Sequence, residues 1–326
     1  SRHAMFIKRL LVAGIMAWSA ASPAQTYPSR PITFVVPGPP GGATDVMARA
    51  LAEDMGKRLG QTIIVDNKPG GGGVIAVQAV TRAAPDGYTL LLTHSTPLIN
   101  TPYLYANVPY NVRRDLAFIS ELCVGKLVLA VGRDVPVKTV PEFLDWAAKN
   151  KGKVSFGSYG VGSFPHLVGA HLNQTRHLDM IHVAYKGEAP MVQDMLAGNI
   201  AWAIGSVTTL GPQIKSGRLR ALAVMGDNRI KEMPDVPTMT EAGMKDQEMR
   251  PPAWIGLFAR SGTPAAILSR VEAEARASIQ SPAMRARLDS LALEPVGNSP
   301  EEFRRSFETS EPIMARLIKS SGATAE

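Results

Sequence analysis

The fold is decided by residues 32–65, which read ITFVVPGPPGGATDVMARALAEDMGKRLGQTIIV. The first five residues form a short apolar run, which predicts a buried strand. After a proline–glycine turn, apolar residues recur at every fourth position from 47 to 59, which predicts one face of a helix that ends at Gly60. A second β-rich run begins at residue 62. This strand–helix–strand order is typical of an α/β fold with parallel strands and helices on both faces.

The same alternation continues along the chain until helices dominate the last part. Thr139 and Glu142 form a capping box that opens a helix in a second α/β block. No long glycine–serine linker separates the two blocks, so we expect them to be close-coupled, with the helical tail packed on one of them. Further strands are predicted at residues 88–93, 127–131, 154–156, 180–184, 200–204, 219–224 and 254–259, and helices at 74–83, 264–279, 282–291 and 300–320.

The composition indicates a folded chain without a dedicated nucleic-acid surface. Hydrophobic residues make up 45% of the 326 residues, which is enough to bury a core. The net charge is +7, but residues 1–24 hold three cations and no acid, so only +4 is spread over the rest. The single cysteine, Cys123, excludes an internal disulfide and a cysteine-cluster metal site.

Residues 1–24 have the layout of a secretory signal peptide. Lys8 and Arg9 precede an apolar run at residues 10–21, and small residues follow it. The run is too short to cross about 30 Å of hydrocarbon as a helix, although an N-terminal anchor is the alternative. No later stretch of the sequence reaches about 18 uninterrupted apolar residues. We therefore expect export and a soluble mature chain in a bacterial periplasm.

The turn between the first strand and the first helix is a candidate anion-binding loop. Backbone N–H groups at a helix N-terminus are free to bind anions, and glycines let a ligand approach the backbone. Thr44 or Asp45 can cap the helix or order a bridging water. A simple turn before a capped helix is the alternative. The candidate ligand-binding residues are Pro40, Gly41, Gly42, Ala43, Thr44 and Asp45.

A second loop of the same kind follows the strand at residues 154–156. Its glycines leave the backbone open, and its hydroxyls can donate to a ligand. Open α/β sheets bind ligands at the C-terminal ends of their strands, so we expect the two loops to face each other across a cleft. The candidates in this loop are Ser158, Tyr159, Gly162, Ser163 and His166.

Two further stretches end strands beside the predicted cleft. Tyr185, Lys186 and Gly187 would bring a positive charge to the cleft edge, although a solvated surface lysine is an equally good interpretation. His94 and Ser95 end a strand of the first block, where His94 is either a ligand-facing donor or an ordinary loop histidine.

Signatures of catalysis, metal binding and cofactor binding are missing from the sequence. The glycines at 70–73 lack the spacing of a dinucleotide loop and the lysine of a P-loop, and Ser158 is not in a nucleophile elbow. The histidines between 166 and 182 lack the spacing of a metal site. Asp45 and His166 form the only acid–base pair expected in the cleft. The sequence therefore favours binding without turnover.

Four stretches carry a resemblance to a known family. They are YPSRPI at 27–32 running into PPGG at 39–42, VDNKPGGGG at 65–73, APDGYTL at 84–90, and PDVPTMTEAG at 234–243. With them, residues 27–326 resemble the Bug family of periplasmic solute receptors, the extracytoplasmic components of tripartite tricarboxylate transporters.

The resemblance implies an α/β, two-lobed periplasmic binding protein of the type II-like Venus-flytrap form. Lobe one would comprise residues 25–123 plus 250–326 and lobe two residues 124–249, with chain crossings near 127–131 and 254–259. A solute carboxylate would lie in the inter-lobe cleft between the loops at 41–45 and 158–163, and the run at 70–73 would be a structural turn. Ser206 stands where many relatives have an acidic residue, so it would help to select the far end of the ligand.

The resemblance also implies capture of a small carboxylated solute by lobe closure. The solute would be a di- or tricarboxylate, an aromatic carboxylate or an acidic amino acid, delivered to membrane permease subunits. A receptor for a sensor kinase pathway and a periplasmic α/β enzyme are the alternatives. We expect a monomer with no cofactor, no metal and no nucleic-acid partner.

Overall fold

Two sheets organise the chain, in a computed structural model that describes residues 26–246 and 249–325. The signal peptide predicted at 1–24 lies outside the described residues. The first sheet has six strands in the order β11-β4-β10-β3-β1-β2 and the second has five in the order β7-β6-β8-β5-β9. The strands are β1 Ile32–Val36, β2 Ile63–Asn67, β3 Thr89–His94, β4 Leu116–Gly125, β5 Leu127–Gly132, β6 Ser155–Ser158, β7 Ile181–Ala184, β8 Trp202–Ser206, β9 Leu219–Val224, β10 Trp254–Arg260 and β11 Leu293–Pro295.

Helices cover both sheets and connect their strands. They are α1 Ala43–Leu59, α2 Val74–Thr81, α3 Thr96–Ile99, α4 Thr101–Leu104, α5 Val112–Asp115, α6 Val140–Lys149, α7 Phe164–Arg176, α8 Glu188–Leu196, α9 Val207–Lys215, α10 Ala265–Gln280, α11 Pro282–Ser290 and α12 Pro300–Ser321. Among the described residues, no helix combines the length and apolarity needed to cross a bilayer.

The unit formed by β1, α1 and β2 follows the sequence pattern closely. Met47, Leu51 and Met55 on the predicted face of α1 are fully buried, and each such side chain stabilises the fold by about 1.5–3 kcal/mol. Gly60 ends the helix in the left-handed conformation, with φ of 69°, where a residue without Cβ is unstrained. β1 then pairs in parallel with both β2 and β3, as the alternation predicted.

Beyond this parallel unit, both sheets are mixed. β10 lies antiparallel between β3 and β4, and β11 is antiparallel to β4. β5 is likewise antiparallel to β8 and β9 in the second sheet.

The crossings join the two sheets into two lobes. Lys126 alone separates β4 in the first sheet from β5 in the second, and the return passes through the segment between β9 and β10. The lobe boundaries predicted from the resemblance stay a prediction.

The last helix, α12, contacts both lobes. Phe303 and Phe307 in its first half pack edge-on against Phe118 of β4. The helix also packs against α7 of the second lobe, where a Cβ on Gly322 at its C-terminal end would lie 2.5 Å from Nε2 of Gln174. Pro312 lies inside the helix between these two contacts, where it removes one backbone hydrogen bond. The tail is therefore shared between the lobes.

Candidate functional site

A cavity of about 270 Å³ lies between the two lobes, and most of its wall is apolar. The first lobe contributes the start of α1 and the end of β3, and the second contributes the loop after β6, the start of α8 and the end of β8. The wall includes eleven of the residues predicted from the sequence, namely Gly42, Ala43, Thr44, Asp45, His94, Ser95, Tyr159, Tyr185, Lys186, Gly187 and Ser206. Outside it lie Pro40, Gly41, Ser158, Gly162, Ser163 and His166.

Asp45 braces the first loop from within. Its carboxylate accepts hydrogen bonds from the Gly41 N–H at 2.9 Å, from the Asn67 amide at 2.9 Å and from Arg49 Nε at 3.1 Å. Burial alone would raise the pKa of Asp45, but these donors hold it below its usual value. Asp45 is therefore charged at neutral pH, with its hydrogen-bonding capacity spent on the loop. Helix capping by Thr44 or Asp45 is not observed, because the N-cap is Gly42.

The braced loop presents the N-terminus of α1 to the cavity. Gly42 lies in extended conformation, and the N–H groups that follow it have no intrahelical acceptor in the first turn. Those groups carry the positive end of the helix dipole, which favours a bound anion. A carboxylate is thus a suitable ligand for this part of the wall.

His94 connects the two halves of the wall as a neutral group. Its Nδ1 lies 3.4 Å from the hydroxyl of Thr44, and its ring meets Tyr159 of the other lobe edge to face at 6.1 Å between centroids. Burial lowers the pKa of His94 to about 4, so at neutral pH the imidazole has one donor and one acceptor nitrogen.

Two serine side chains of the second loop, at residues 158–163, form hydrogen bonds that stabilise the loop rather than a ligand. The Ser158 hydroxyl lies 2.7 Å from His182 Nε2, and the Ser163 hydroxyl donates to the Gly160 carbonyl at 2.6 Å. Both serines are fully buried. Their hydroxyls are thus engaged inside the lobe, and the loop presents Tyr159, Gly160 and Val161 to the cavity instead.

His166 also supports this loop from behind. Its Nδ1 accepts the Gly162 N–H at 2.9 Å, and its ring stacks on His182 at 3.8 Å between centroids. Burial lowers the pKa of His166 to about 4, and burial together with His166 lowers that of His182 to about 3. Asp45 and His166, the acid–base pair that an enzyme would need, therefore do not share the cavity wall.

The glycine-rich run contributes to the wall, although the sequence suggested only a structural turn. Residues 70–73 all have positive φ and all line the cavity. A Cβ on Gly73 would lie 2.2 Å from Cγ of Pro97, so the turn has no room for a side chain there. The run is both a tight turn and a stretch of exposed backbone beside the ligand space.

Sequence reasoning missed several wall residues, among them Asn100, Trp254 and Glu188. Asn100 lies between the short helices α3 and α4 and Trp254 at the return crossing, and neither is part of a motif that marks it. Glu188 directly follows the Tyr-Lys-Gly stretch and opens α8, so an acid at a helix start beside a predicted site was a usable signal. Among the described residues, no cluster of three or more histidine, cysteine or acidic side chains is placed to hold a metal ion.

Comparisons with known proteins agree with this architecture. The family model described as "Tripartite tricarboxylate transporter family receptor" matches residues 47–322. Protein BugT of Bordetella pertussis is 36% identical, over 98% of this chain and 99% of its own length. The structure of periplasmic binding protein BugD is 33% identical, covers 92% of this chain and 100% of its own, and has a TM-score of 0.86.

A third relative was solved with a ligand. The structure of R. palustris Rpa4515 with adipate has 27% identity and a TM-score of 0.87, over 91% of this chain and 99% of that one. The predicted two-lobed α/β fold of periplasmic binding proteins is confirmed by these structures.

Proposed function

The chain belongs to the tripartite tricarboxylate transporter receptor family, and from this premise we propose that it captures a small carboxylated solute between its lobes and delivers it to a membrane transporter. The resemblance to the Bug family that its motifs carry is thereby confirmed. The proposal places the protein in the periplasm, because relatives such as BugD are periplasmic binding proteins.

The observation that carries the proposal is the start of α1 in the cavity wall. The residues that carry its free N–H groups line the ligand space, and the Asp45 carboxylate is already paired with the Arg49 cation and accepts a hydrogen bond from the Asn67 amide. A solute carboxylate can therefore replace water at the helix terminus without a buried counter-ion, which avoids the desolvation cost of an ion pair. The adipate in the R. palustris structure is a ligand of this chemical class.

Closure is proposed as the means of capture. Polar and apolar contacts cross between the lobes at the cavity rim, including His94 with Tyr159 and Asn100 with the Gly162 carbonyl. A solute can contact both lobes at once only when the lobes are closed. Its binding therefore shifts the population towards the closed form. The closed form is the one that a membrane partner would distinguish.

A binding screen tests this function. The purified protein is heated with saturating di- and tricarboxylates, aromatic carboxylates and acidic amino acids, and mass spectrometry of the unfolded protein identifies any solute that co-purifies. We expect at least one carboxylate to raise the Tm, because a ligand that binds only the native state stabilises it by mass action. If every member leaves the Tm unchanged and no carboxylate co-purifies, the protein is not a receptor for this class.

A further inference from the structure

Glu188 places a carboxylate in the wall of the cavity. It is the first residue of α8, and its Oε1 accepts hydrogen bonds from the backbone N–H of Ser206 at 3.2 Å and from the Ser206 hydroxyl. A carboxylate can accept about four hydrogen bonds, so Glu188 has capacity left for a donor from the ligand.

Among the described residues of the cavity wall, no cation pairs with this carboxylate. Burial raises the pKa of Glu188, and the groups that act against burial are the hydrogen bonds from Ser206 and Thr209 rather than a positive charge. Lys186 is the only lysine or arginine among the described residues of the wall, and its side chain is exposed. Asp45, the other acid of the wall, already has Arg49 and Asn67. The cavity therefore has one neutralised and one unneutralised carboxylate.

The carboxylate without a counter-ion belongs to the second lobe and lies close to the proposed anion site at the start of α1. The Glu188 Cβ would be 3.6 Å from a Cβ built on Gly42, so the start of α8 in the second lobe approaches the start of α1 in the first. A solute held by its carboxylate at α1 thus has Glu188 within the same small chamber. A second solute carboxylate there would meet a like charge in a poorly solvated space, whereas an ammonium group would supply the missing counter-charge.

We propose that Glu188 is the specificity-determining residue of the cavity and selects amino carboxylates over dicarboxylates of equal length. This inference rests on the proposed function, since it assumes that the solute is a carboxylate. The ammonium group of the solute donates to Glu188, while its carboxylate is held at the N-terminus of α1. Each of the two opposite charges on the solute is then matched by a group of the cavity wall.

Matched ligand pairs test the proposal on the unmodified chain. Calorimetry compares β-alanine with malonate, γ-aminobutyrate with succinate, and δ-aminovalerate with glutarate. We expect the amino member of the best-fitting pair to bind at least about tenfold more tightly, which corresponds to about 1.4 kcal/mol. Equal affinity within a pair, or tighter binding of the dicarboxylate, overturns the proposal.

A variant without the charge tests whether Glu188 causes the preference for amino carboxylates. Glu188→Gln keeps an oxygen for the Ser206 donors but cannot neutralise an ammonium group, so the preference for the amino member should fall to less than about threefold. The matched control is Glu294→Gln, an exposed glutamate on β11 that does not line the cavity, and it should keep the full preference. A Glu188→Gln variant that keeps the full preference overturns the assignment.

The two failures are distinguishable. If other carboxylates of the wider screen bind but none of the six matched solutes does, the proposed function stands and the selectivity inference fails. If no carboxylate of any kind binds, the proposed function itself fails.

Discussion

The side-chain amide of Asn100 in the first lobe donates a 2.9 Å hydrogen bond to the carbonyl oxygen of Gly162 in the second. The bond is buried, and Leu104 fills the space beside it, because a Cβ on Gly162 would lie 1.9 Å from the Leu104 Cδ1. Under the proposed closure, opening of the cleft would break this hydrogen bond and expose both partners to water. The pair is thus a contact that belongs to the closed arrangement.

Replacing Asn100 by alanine should weaken solute binding. The variant loses one inter-lobe hydrogen bond, which is worth about 0.5–1.5 kcal/mol and corresponds to a two- to tenfold rise in Kd. Calorimetry with the best solute measures the change, and small-angle scattering should show a larger radius of gyration without ligand. The control is Asn150→Ala, whose amide bonds to Trp146 within the second lobe and should leave Kd unchanged. An unchanged Kd for Asn100→Ala would contradict a role in closure.

Replacing Gly187 by alanine should block closure sterically. Gly187 has φ of 131°, and a Cβ there would lie 2.2 Å from Cδ of Pro39 in the opposite lobe. The closed form is disfavoured by this overlap and the open form is not, so we expect a loss of affinity of at least about tenfold with a fall in stability near 1 kcal/mol. Gly198→Ala serves as the control, because it has a positive φ but no neighbour within 4 Å of its Cβ position. An unchanged affinity in Gly187→Ala would show that Gly187 and Pro39 are further apart in the solute-bound form than the overlap requires.

Asp45→Asn should destabilise the protein and weaken binding together. The substitution removes the charge that accepts from Gly41 and Arg49, and a lost hydrogen bond to a charged group costs about 1.5–3 kcal/mol. Urea denaturation measures the stability and calorimetry the affinity. Asp145→Asn, at an exposed position on α6, should change neither by more than about 0.5 kcal/mol. Unchanged stability in the Asp45 variant would mean that the loop does not depend on the hydrogen bonds that the Asp45 carboxylate accepts.

Glu188 should make the ligand-free protein less stable as the pH rises. Its pKa in the folded state is raised, so the native state binds more protons than the unfolded state above the ordinary value of 4.5. The stability difference between wild type and Glu188→Gln should therefore grow from pH 4.5 upward and level off once the folded group has ionised. Urea denaturation across this range measures it, with Glu294→Gln following the wild type. A pH-independent difference would contradict burial of the charge.

The stacked histidines His166 and His182 should make the protein less stable as the pH falls. The pKa values of His166 and His182 are lowered to about 4 and about 3, so the unfolded state binds more protons as the pH falls below 6.5. Stability should decline between pH 6.5 and pH 4, and His182→Gln should flatten that decline. Denaturation of the two proteins at matched pH values measures the slopes. Identical slopes would show that His182 titrates normally.

The sequence was sufficient where structure depends on neighbouring residues. β1, the buried face of α1 and the Gly60 terminus follow from an apolar run, a four-residue period and a helix-ending glycine within thirty positions. It was insufficient for β4, where the polar pair Ser120–Glu121 interrupts the apolar pattern. Those residues are buried because Asn298 and Ser306 supply their partners from the far end of the chain.

The same limit applies to the site. The sequence placed the loops on the right elements, because a loop between a strand and a helix lies at the end of the sheet. It could not show that the Ser158 hydroxyl is used by His182, since the two residues meet only when β6 and β7 pair. The sequence also could not show that Glu188 lines the cavity, because its place there depends on the packing of α8 beside Ser206 of β8.

The shared helix α12 limits how far the two lobes can separate. Its first half is anchored on β4 and its second half on α7, with Pro312 between them. A rotation of the lobes that widens the cleft must therefore bend α12 or break the contacts of one of its ends. Under the proposed closure, the angular range of the open state would be set by a segment outside the cavity wall.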